Sequence, residues 1–263
     1  MRQITDIAEL RKIQIGILDE VVRICNANNI RYSLSSGTLL GAVRHKGYIP
    51  WDDDIDLYMK RSEFTKFVSC FNAQTQAPFE LLSPGISKDY FYLYGKVIDK
   101  RTIMQETEIP EYQIGVNIDI FPIDFVPEDT GERKRFYKIL YLIHKIRKCK
   151  KIDHCYLSSK VAYYAYRLLP ISVSAIDRLL NKKFFNGTKS SKVCYLTEGL
   201  KLGPHKFFSA SLFDDLADIE FEGKFYSAFR DYDSYLTNTF GNYMQLPPVE
   251  ERVTHHFKAW WKD

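Results

Sequence analysis

Trp51-Asp52-Asp53-Asp54-Ile55-Asp56-Leu57-Tyr58-Met59 decides how this chain folds and what it can hold. Three consecutive aspartates lead into apolar alternation, with Ile55, Leu57 and Met59 interleaved with Asp56 and Tyr58. That period marks a strand, and the spacing predicts one over Asp54 to Met59. In a strand Asp54 and Asp56 share a face, because successive side chains alternate across the pleat. Two hard oxygen ligands side by side suit a Mg²⁺ ion that also holds phosphates. A calcium loop needs a Gly and a distant Glu after alternating ligands, and the apolar continuation argues against it. A solvated acidic loop is the plain alternative. Buried carboxylates without a partner would be costly, and a metal or a group of cations removes that cost.

Upstream, Ser35-Ser36-Gly37-Thr38-Leu39-Leu40-Gly41-Ala42-Val43-Arg44-His45 is a small-residue turn running into a short helix. Such a turn offers backbone N–H groups to an anion at a helix N-terminus, although Ser-Gly-Thr is also the makeup of an ordinary turn. A metal pair and a phosphate cradle within the twenty residues from Gly37 to Asp56 point to phosphate transfer.

Composition agrees with an enzyme without naming one. The chain has 263 residues, 45% hydrophobic and 15% aromatic, enough for a sizeable core. Its net charge of +4 is mild and gives no reason to expect nucleic acid. The five cysteines are widely spaced with no C-x-x-C pair, so neither a disulfide framework nor a Cys-rich zinc site is favoured, and a cytoplasmic location is expected. The opening Met1-Arg2-Gln3-Ile4-Thr5-Asp6 reads as the start of an amphipathic helix and not as a signal peptide.

Periodicity gives a mixed α/β pattern followed by helices. Thr5 or Asp6 caps a first helix bearing Ile7, Leu10, Ile17, Val21 and Ile24, which ends at Asn28-Asn29. Ile30 to Ser35 reads as a strand, Thr38 to Arg44 as a helical turn, and Arg61 to Phe71 as a helix capped by Ser62. Phe79 to Leu82, Tyr90 to Asp99, Ile103 to Glu106 and Val116 to Ile120 follow as strands, the last carrying Asp119. Near the end, Glu222-Gly223 turns a hairpin from Ala217–Phe221 into Phe225-Tyr226, and Asp231 to Phe240 is a helix stopped by Gly241.

Between these lies a basic region. Arg133 to Lys151 carries nine Lys or Arg and no acid, interleaved with apolar residues such as Ile139, Leu142 and Ile146. Two readings stay open: a helix with one solvated basic face, or contact with an anionic membrane surface or anionic glycolipid. Val161 to Ile176 is the most apolar stretch, but Arg167 and Pro170 interrupt it and it is too short to span a bilayer.

The run from Gly37 to Asp56 resembles the signature of the LicD family, bacterial cell-surface phosphocholine transferases with fukutin-related sugar-phosphate transferases as eukaryotic relatives. Two more blocks carry the resemblance: Gly115-Val116-Asn117-Ile118-Asp119-Ile120-Phe121-Pro122-Ile123-Asp124, and Tyr243-Met244-Gln245-Leu246-Pro247-Pro248 with Arg252, His255 and His256. It runs from about residue 30 to the C-terminus, with little signal over 129–205. It implies an α+β fold: a nucleotidyltransferase-like mixed-sheet core over 1–128, a mainly helical basic accessory region over 129–205, and a segment over 206–263 that completes the active site. It implies Asp54, Asp56 and Asp119 as a catalytic metal triad for Mg²⁺, with Mn²⁺ as the substitute, and Asp52, Asp53 and Asp124 in supporting roles. Asp124, after Pro122, would pin the loop that leaves the sheet.

The implied partners are a CDP-linked donor, CDP-choline first, and a glycan or glycolipid acceptor, handled by an enzyme peripheral to the membrane. Gly37, Thr38, Arg44, His45 and Lys96 would bind the phosphates, and Arg252, His255 and His256 the phosphate or the acceptor. Trp51 or Tyr48 could meet choline's ammonium, which favours an aromatic face. Two other readings remain: a nucleotidyltransferase using a nucleoside triphosphate, and a catalytically silent glycan-binding relative. Retention of Asp54, Asp56 and Asp119 argues against the silent one.

Overall fold

The computed structural model describes residues 1–76, 78–84, 86–87, 90, 92–105, 113–151, 160–180, 182, 190–195, 207–252 and 257–263. The chain divides into two compact units: Met1–Leu82, Gly95–Pro122 and Leu212–Asp263 form the first, Ser83–Tyr94 and Ile123–Ser211 the second. The architecture is mixed α/β and nucleotidyltransferase-like.

The first unit opens with β1 (Arg2–Ile4) and α1 (Ile7–Ala27). Asp6 caps α1 by accepting a hydrogen bond from the Ala8 N–H, and Asn28 and Asn29 end it, Asn29 at φ 51. Leu10, Ile17, Val21 and Ile24 form its buried stripe, each stabilising the fold by about 1.5–3 kcal/mol. β2 (Ser33–Leu34), α2 (Ser36–His45), β3 (Asp56–Lys60), α3 (Arg61–Gln74) and β4 (Phe79–Leu82) follow. The remaining strands before the second unit are β5 (Gly95–Asp99), β6 (Thr102–Gln105), β7 (Gln113–Ile114) and β8 (Asn117–Phe125). In this unit the central sheet has the order β2-β3-β8-β5-β4, and antiparallel β5 and β8 set Lys96 opposite Asp119.

Several boundaries differ from those the sequence predicts. The strand expected from Asp54 begins at Asp56, whose N–H is bonded by the Thr38 hydroxyl, so Asp54 lies in the approach to β3. Of the strand expected over Ile30 to Ser35, only Ser33–Leu34 pairs, and of Tyr90 to Asp99, only Gly95–Asp99. Ser62 lies inside α3, whose N-cap is Lys60. β8 runs on through Pro122, and Asp124 pairs with Cys194 inside the sheet instead of pinning a departing loop. Proline is tolerated there because it falls between the residues paired with β5 and those paired with the next strand, where no ladder bond is required.

In the second unit the end of β8 pairs with β9 (Lys192–Cys194), which pairs with β10 (Phe208–Ser209). Helices α4 (Thr130–Lys151), α5 (Lys160–Leu168) and α6 (Val173–Leu180) complete it. Its core joins Leu93, Val126, Tyr137, Leu140, Ile176 and Leu180. Arg147 is fully buried and donates from Nε to Asp177 at 2.6 Å. Among the described residues no helix is long and apolar enough to cross a membrane.

The chain returns to the first unit with the hairpin β11 (Leu216–Phe221) and β12 (Lys224–Phe229), joined by Glu222 and Gly223 at φ 52 and 72, a turn that matches strand twist. α7 (Tyr232–Phe240), capped by Asp231, and β13 (Ala259–Trp261) follow. A second sheet, β1-β13-β6-β7, ties the N-terminal strand to the C-terminal one.

Glu20 fastens α1 to the connection after α3. It accepts from Arg23 Nε at 2.7 Å, the Thr75 hydroxyl at 3.0 Å and the Gln76 N–H at 2.9 Å. The Arg23 hydrogen bonds lower its pKa from 4.5 to about 2, against the opposing effect of burial. A lowered carboxylate contributes stability above pH 4.5 that is lost as pH falls through about 2. Glu20→Gln is expected to cost about 2 kcal/mol in urea unfolding at pH 7, discounted for the exposure of Arg23, with the difference closing below pH 3. Equal penalties at both pH values would show that this ion pair does not fasten the helix.

Candidate active site

The acidic stretch hangs between α2 and β3, and three elements fix its path. α2 closes tightly onto the turn that follows it: a Cβ at Gly41 would run into the Gly47 carbonyl. From the hairpin, the Glu222 carboxylate accepts from the Tyr48 N–H at 3.0 Å and the Glu222 N–H donates to the Lys46 carbonyl at 2.9 Å. From α1, Arg11 Nη2 donates to the carbonyls of Ile49, Pro50 and Asp52 at 3.0, 3.1 and 2.6 Å. Buried Gln14 donates to the Asp53 carbonyl at 2.7 Å and accepts from the Tyr48 hydroxyl at 3.0 Å.

This scaffold crowds the carboxylates. One oxygen each from Asp52, Asp53 and Asp54 lies within 4.8 Å of the others. Asp53 is buried, Asp52 half-buried and Asp54 exposed. Asp54 is thus walled by protein yet reached by water. Its carboxyl is pushed well above the ordinary 3.8, first by burial in the surrounding protein and then by the charges of Asp52, Asp119 and Asp53. Asp52 leans on the N-terminus of α2, where a Cβ at Gly37 would come within 2.6 Å of its oxygen. The helix end favours that negative charge.

Asp119 stands beside this group on β8, its N–H donating to the Ile55 carbonyl at 2.9 Å. Buried Lys96 on β5 reaches Asp119 at 2.8 Å and Asn117 Oδ1 at 3.1 Å. A cationic group forms at the C-terminal end of α2. Arg44 donates to the Tyr243 carbonyl at 2.8 Å and from Nε to His45 Nε2 at 2.9 Å. Arg252 donates to the Pro247 carbonyl at 3.0 Å and lies 5.3 Å from the Trp51 ring centre. Burial, then Arg252, lower the Arg44 pKa, while burial, then Arg44, lower that of His45, which favours neutral imidazole. Among the described residues neither arginine meets a carboxylate, so two like charges are held close with capacity for an anion.

The predicted residues therefore fall into distinct places. Asp52, Asp53 and Asp54 form the acidic group, and Asp119 adds its charge to Asp54 from β8. Asp56 begins β3. Gly37 lies at the helix end against Asp52. The Thr38 hydroxyl holds the Asp56 N–H at 2.8 Å. Arg44, His45 and Arg252 assemble, and Lys96 is joined to Asp119. His255 and His256 lie outside the described residues. Tyr48 is buried, with the Arg11 guanidinium 4.6 Å from its ring centre and Phe221 at 5.1 Å, so it packs and does not meet an ammonium. Arg11, Gln14, Asn117 and Glu222 are supports the sequence does not reveal, because each acts on groups far away in the chain. Gln14 on the buried stripe of α1 is the exception: a polar residue among apolar ones signals a required hydrogen bond.

The donor set fits a hard divalent cation. Three converging carboxylates, one pushed above its ordinary pKa by burial and then by its neighbours, form a group whose crowding a cation relieves.

Comparisons with known proteins identify the family. Residues 29–138 match the family model described as LicD/FKTN/FKRP, nucleotidyltransferase domain. The lipopolysaccharide cholinephosphotransferase LicD of Haemophilus influenzae is 30% identical over 274 aligned positions, covering 98% of each chain. The human ribitol 5-phosphate transferase FKRP is 54% identical over 37 residues, 14% of this chain and 8% of that protein. An uncharacterized protein of Rickettsia prowazekii, RP689, is 51% identical over 41 residues, 16% of this chain and 15% of that one. A full-length relative at this identity, together with the matching domain, settles the assignment: the chain belongs to the LicD family and is a phosphotransferase of that type.

Proposed function

We propose that the protein moves phosphocholine, or a similar polyol phosphate, from a CDP-linked donor to a hydroxyl of a cell-surface glycan or glycolipid precursor, with Mg²⁺ or Mn²⁺ bound at Asp54. The observation that carries this reading is the convergence of carboxylates on Asp54, with the paired arginines Arg44 and Arg252 as a second group suited to an anion. The full-length similarity to a lipopolysaccharide cholinephosphotransferase supports choline as cargo, and the short similarity to a ribitol 5-phosphate transferase supports the wider polyol class. The acceptor includes lipid-linked precursors at the cytoplasmic face of a membrane, with the protein peripheral to it.

Asp54 belongs both to the geometric group with Asp52 and Asp53 and to the set with Asp56 and Asp119 that the family resemblance implies. When bound, the ion supplies neutralising charge to the phosphates. Arg44 and Arg252 bind the donor diphosphate, and the N–H groups of Gly37 and Thr38, in the first turn of α2, face an anion without intrahelical acceptors. The acceptor oxygen attacks the phosphorus that bears choline, the bond from that phosphorus to the bridging oxygen breaks, and CMP leaves with the electron pair. Asp119, oriented by Lys96, receives the hydroxyl proton. A loose phosphoryl transition state asks little of that base, so placement and electrostatics supply most of the rate.

Asp54→Asn is expected to lower turnover by about 10²–10³-fold or more. The metal-free variant should unfold at no lower temperature than the parent, since the mutation removes a crowded charge whose cost grows as pH rises above 3.8. Retention of over a tenth of the activity, or a large fall in melting temperature, would contradict the role.

The donor is tested by comparing CMP release from CDP-choline, CDP-ribitol and CDP-glycerol with pyrophosphate release from CTP, using crude surface glycan as acceptor. CMP from CDP-choline is the expected result. CMP from CDP-ribitol alone would keep the chemistry and discard choline. Pyrophosphate without CMP would replace the transferase reading with nucleotidyl transfer.

A further inference from the structure

The mild overall charge conceals a strong segregation. The second unit carries 19 Lys and Arg against 8 Asp and Glu, a net +11, whereas the first is −7. Charge separated this way marks a surface for an extended polyanion.

α4 and α5 in that unit also display apolar side chains to solvent. The two helices are joined at their C-terminal ends: Lys150 Nζ donates to the carbonyls of Arg167 and Leu169 at 3.1 and 2.7 Å. On α4, exposed Ile139, Tyr141 and Leu142 stand among exposed Lys134, Arg135 and Lys138. On α5 none of the nine residues is buried, and Val161 and Leu168 are each 79% exposed. Val161, Tyr164 and Leu168 follow one another at spacings of three and four, so they share a helical face. An apolar helical face turned to water in a strongly basic unit is the pattern of a helix that lies in a lipid headgroup layer.

We propose that the second unit docks on an anionic lipid bilayer, with Val161, Tyr164 and Leu168 entering the acyl boundary and the α4 cations meeting lipid phosphates. Charge selects this occupant. Pairing of this face with itself in a second copy would bring +11 against +11, which repels. Nucleic acid would take the cations but has no use for exposed valine and leucine, which neither stack on bases nor donate hydrogen bonds. The docking deepens the reading of a lipid-linked acceptor. It is measured without donor or acceptor, so its failure leaves the transfer chemistry untouched.

The test is co-sedimentation of the full chain with vesicles of phosphatidylglycerol and phosphatidylcholine, and with phosphatidylcholine alone. Binding only to the anionic vesicles, weakening as salt rises, is the expected result. Val161→Glu with Leu168→Glu should weaken it by about tenfold or more, and Lys134→Gln, Arg135→Gln and Lys138→Gln together by about 100-fold. All these side chains are exposed, so circular dichroism should match the parent. No binding to anionic vesicles at low salt would overturn the proposal, as would unchanged binding of the double glutamate variant. So would a dimer in analytical ultracentrifugation that this variant abolishes, because the face would then pair with itself.

Discussion

Three adjacent carboxylates repel one another, and the site exists because α1 holds them together. At separations near 5 Å each ionised pair costs about 3 kcal/mol in an effective dielectric of about 20. Arg11 and Gln14 answer that repulsion through the backbone, gripping carbonyls from Ile49 to Asp53 and leaving the side chains to point where they must. The grip comes from a helix whose opposite positions are core, so loosening the acidic stretch would mean moving α1 out of the hydrophobic interior. Burial and then the neighbouring charges raise the Asp54 carboxyl above its ordinary range, and perturbed groups of this kind cluster at functional sites.

The same logic applies with opposite sign at Arg44 and Arg252. Arg44 and Arg252 are anchored through backbone carbonyls, not through carboxylates, so neither charge is neutralised by its support. Both the acidic stretch and the two arginines are thus held through backbone carbonyls. Where a counter-ion does appear, at Lys96 and Asp119, it fixes the orientation of a carboxylate on a central strand. Preorganisation of this kind is what phosphoryl transfer requires of a protein, since the bond-breaking asks for little covalent help.

The long periodic elements were legible in the sequence. α1, α3, the β11–β12 hairpin and α7 appear where hydrophobic period and turn residues put them, because their signals are local. The pairing of β1 with β13 was not: each has three residues, and their register depends on a partner more than 250 positions away. The start of β3 was misplaced because alternation cannot reveal that Thr38 binds the Asp56 N–H. Asp54 and Asp119 were legible as carboxylates in a telling context. The convergence of Asp52 and Asp53 on Asp54 was hidden, since it arises from a turn and not from strand alternation. The surface on α4 and α5 was half visible: sequence showed the cations, while only the structure shows that an apolar face lies open beside them.

The central claim is that the group around Asp54 is a cation site completed by a nucleotide. Anomalous scattering from Mn²⁺ in crystals grown with CDP tests it most directly. The account predicts a Mn²⁺ peak bonded to Asp54 and at least one of its neighbouring carboxylates, with the diphosphate on the side of Arg44 and Arg252. A well-bound nucleotide with Mn²⁺ held elsewhere, or with Asp54 not among its ligands, would contradict it.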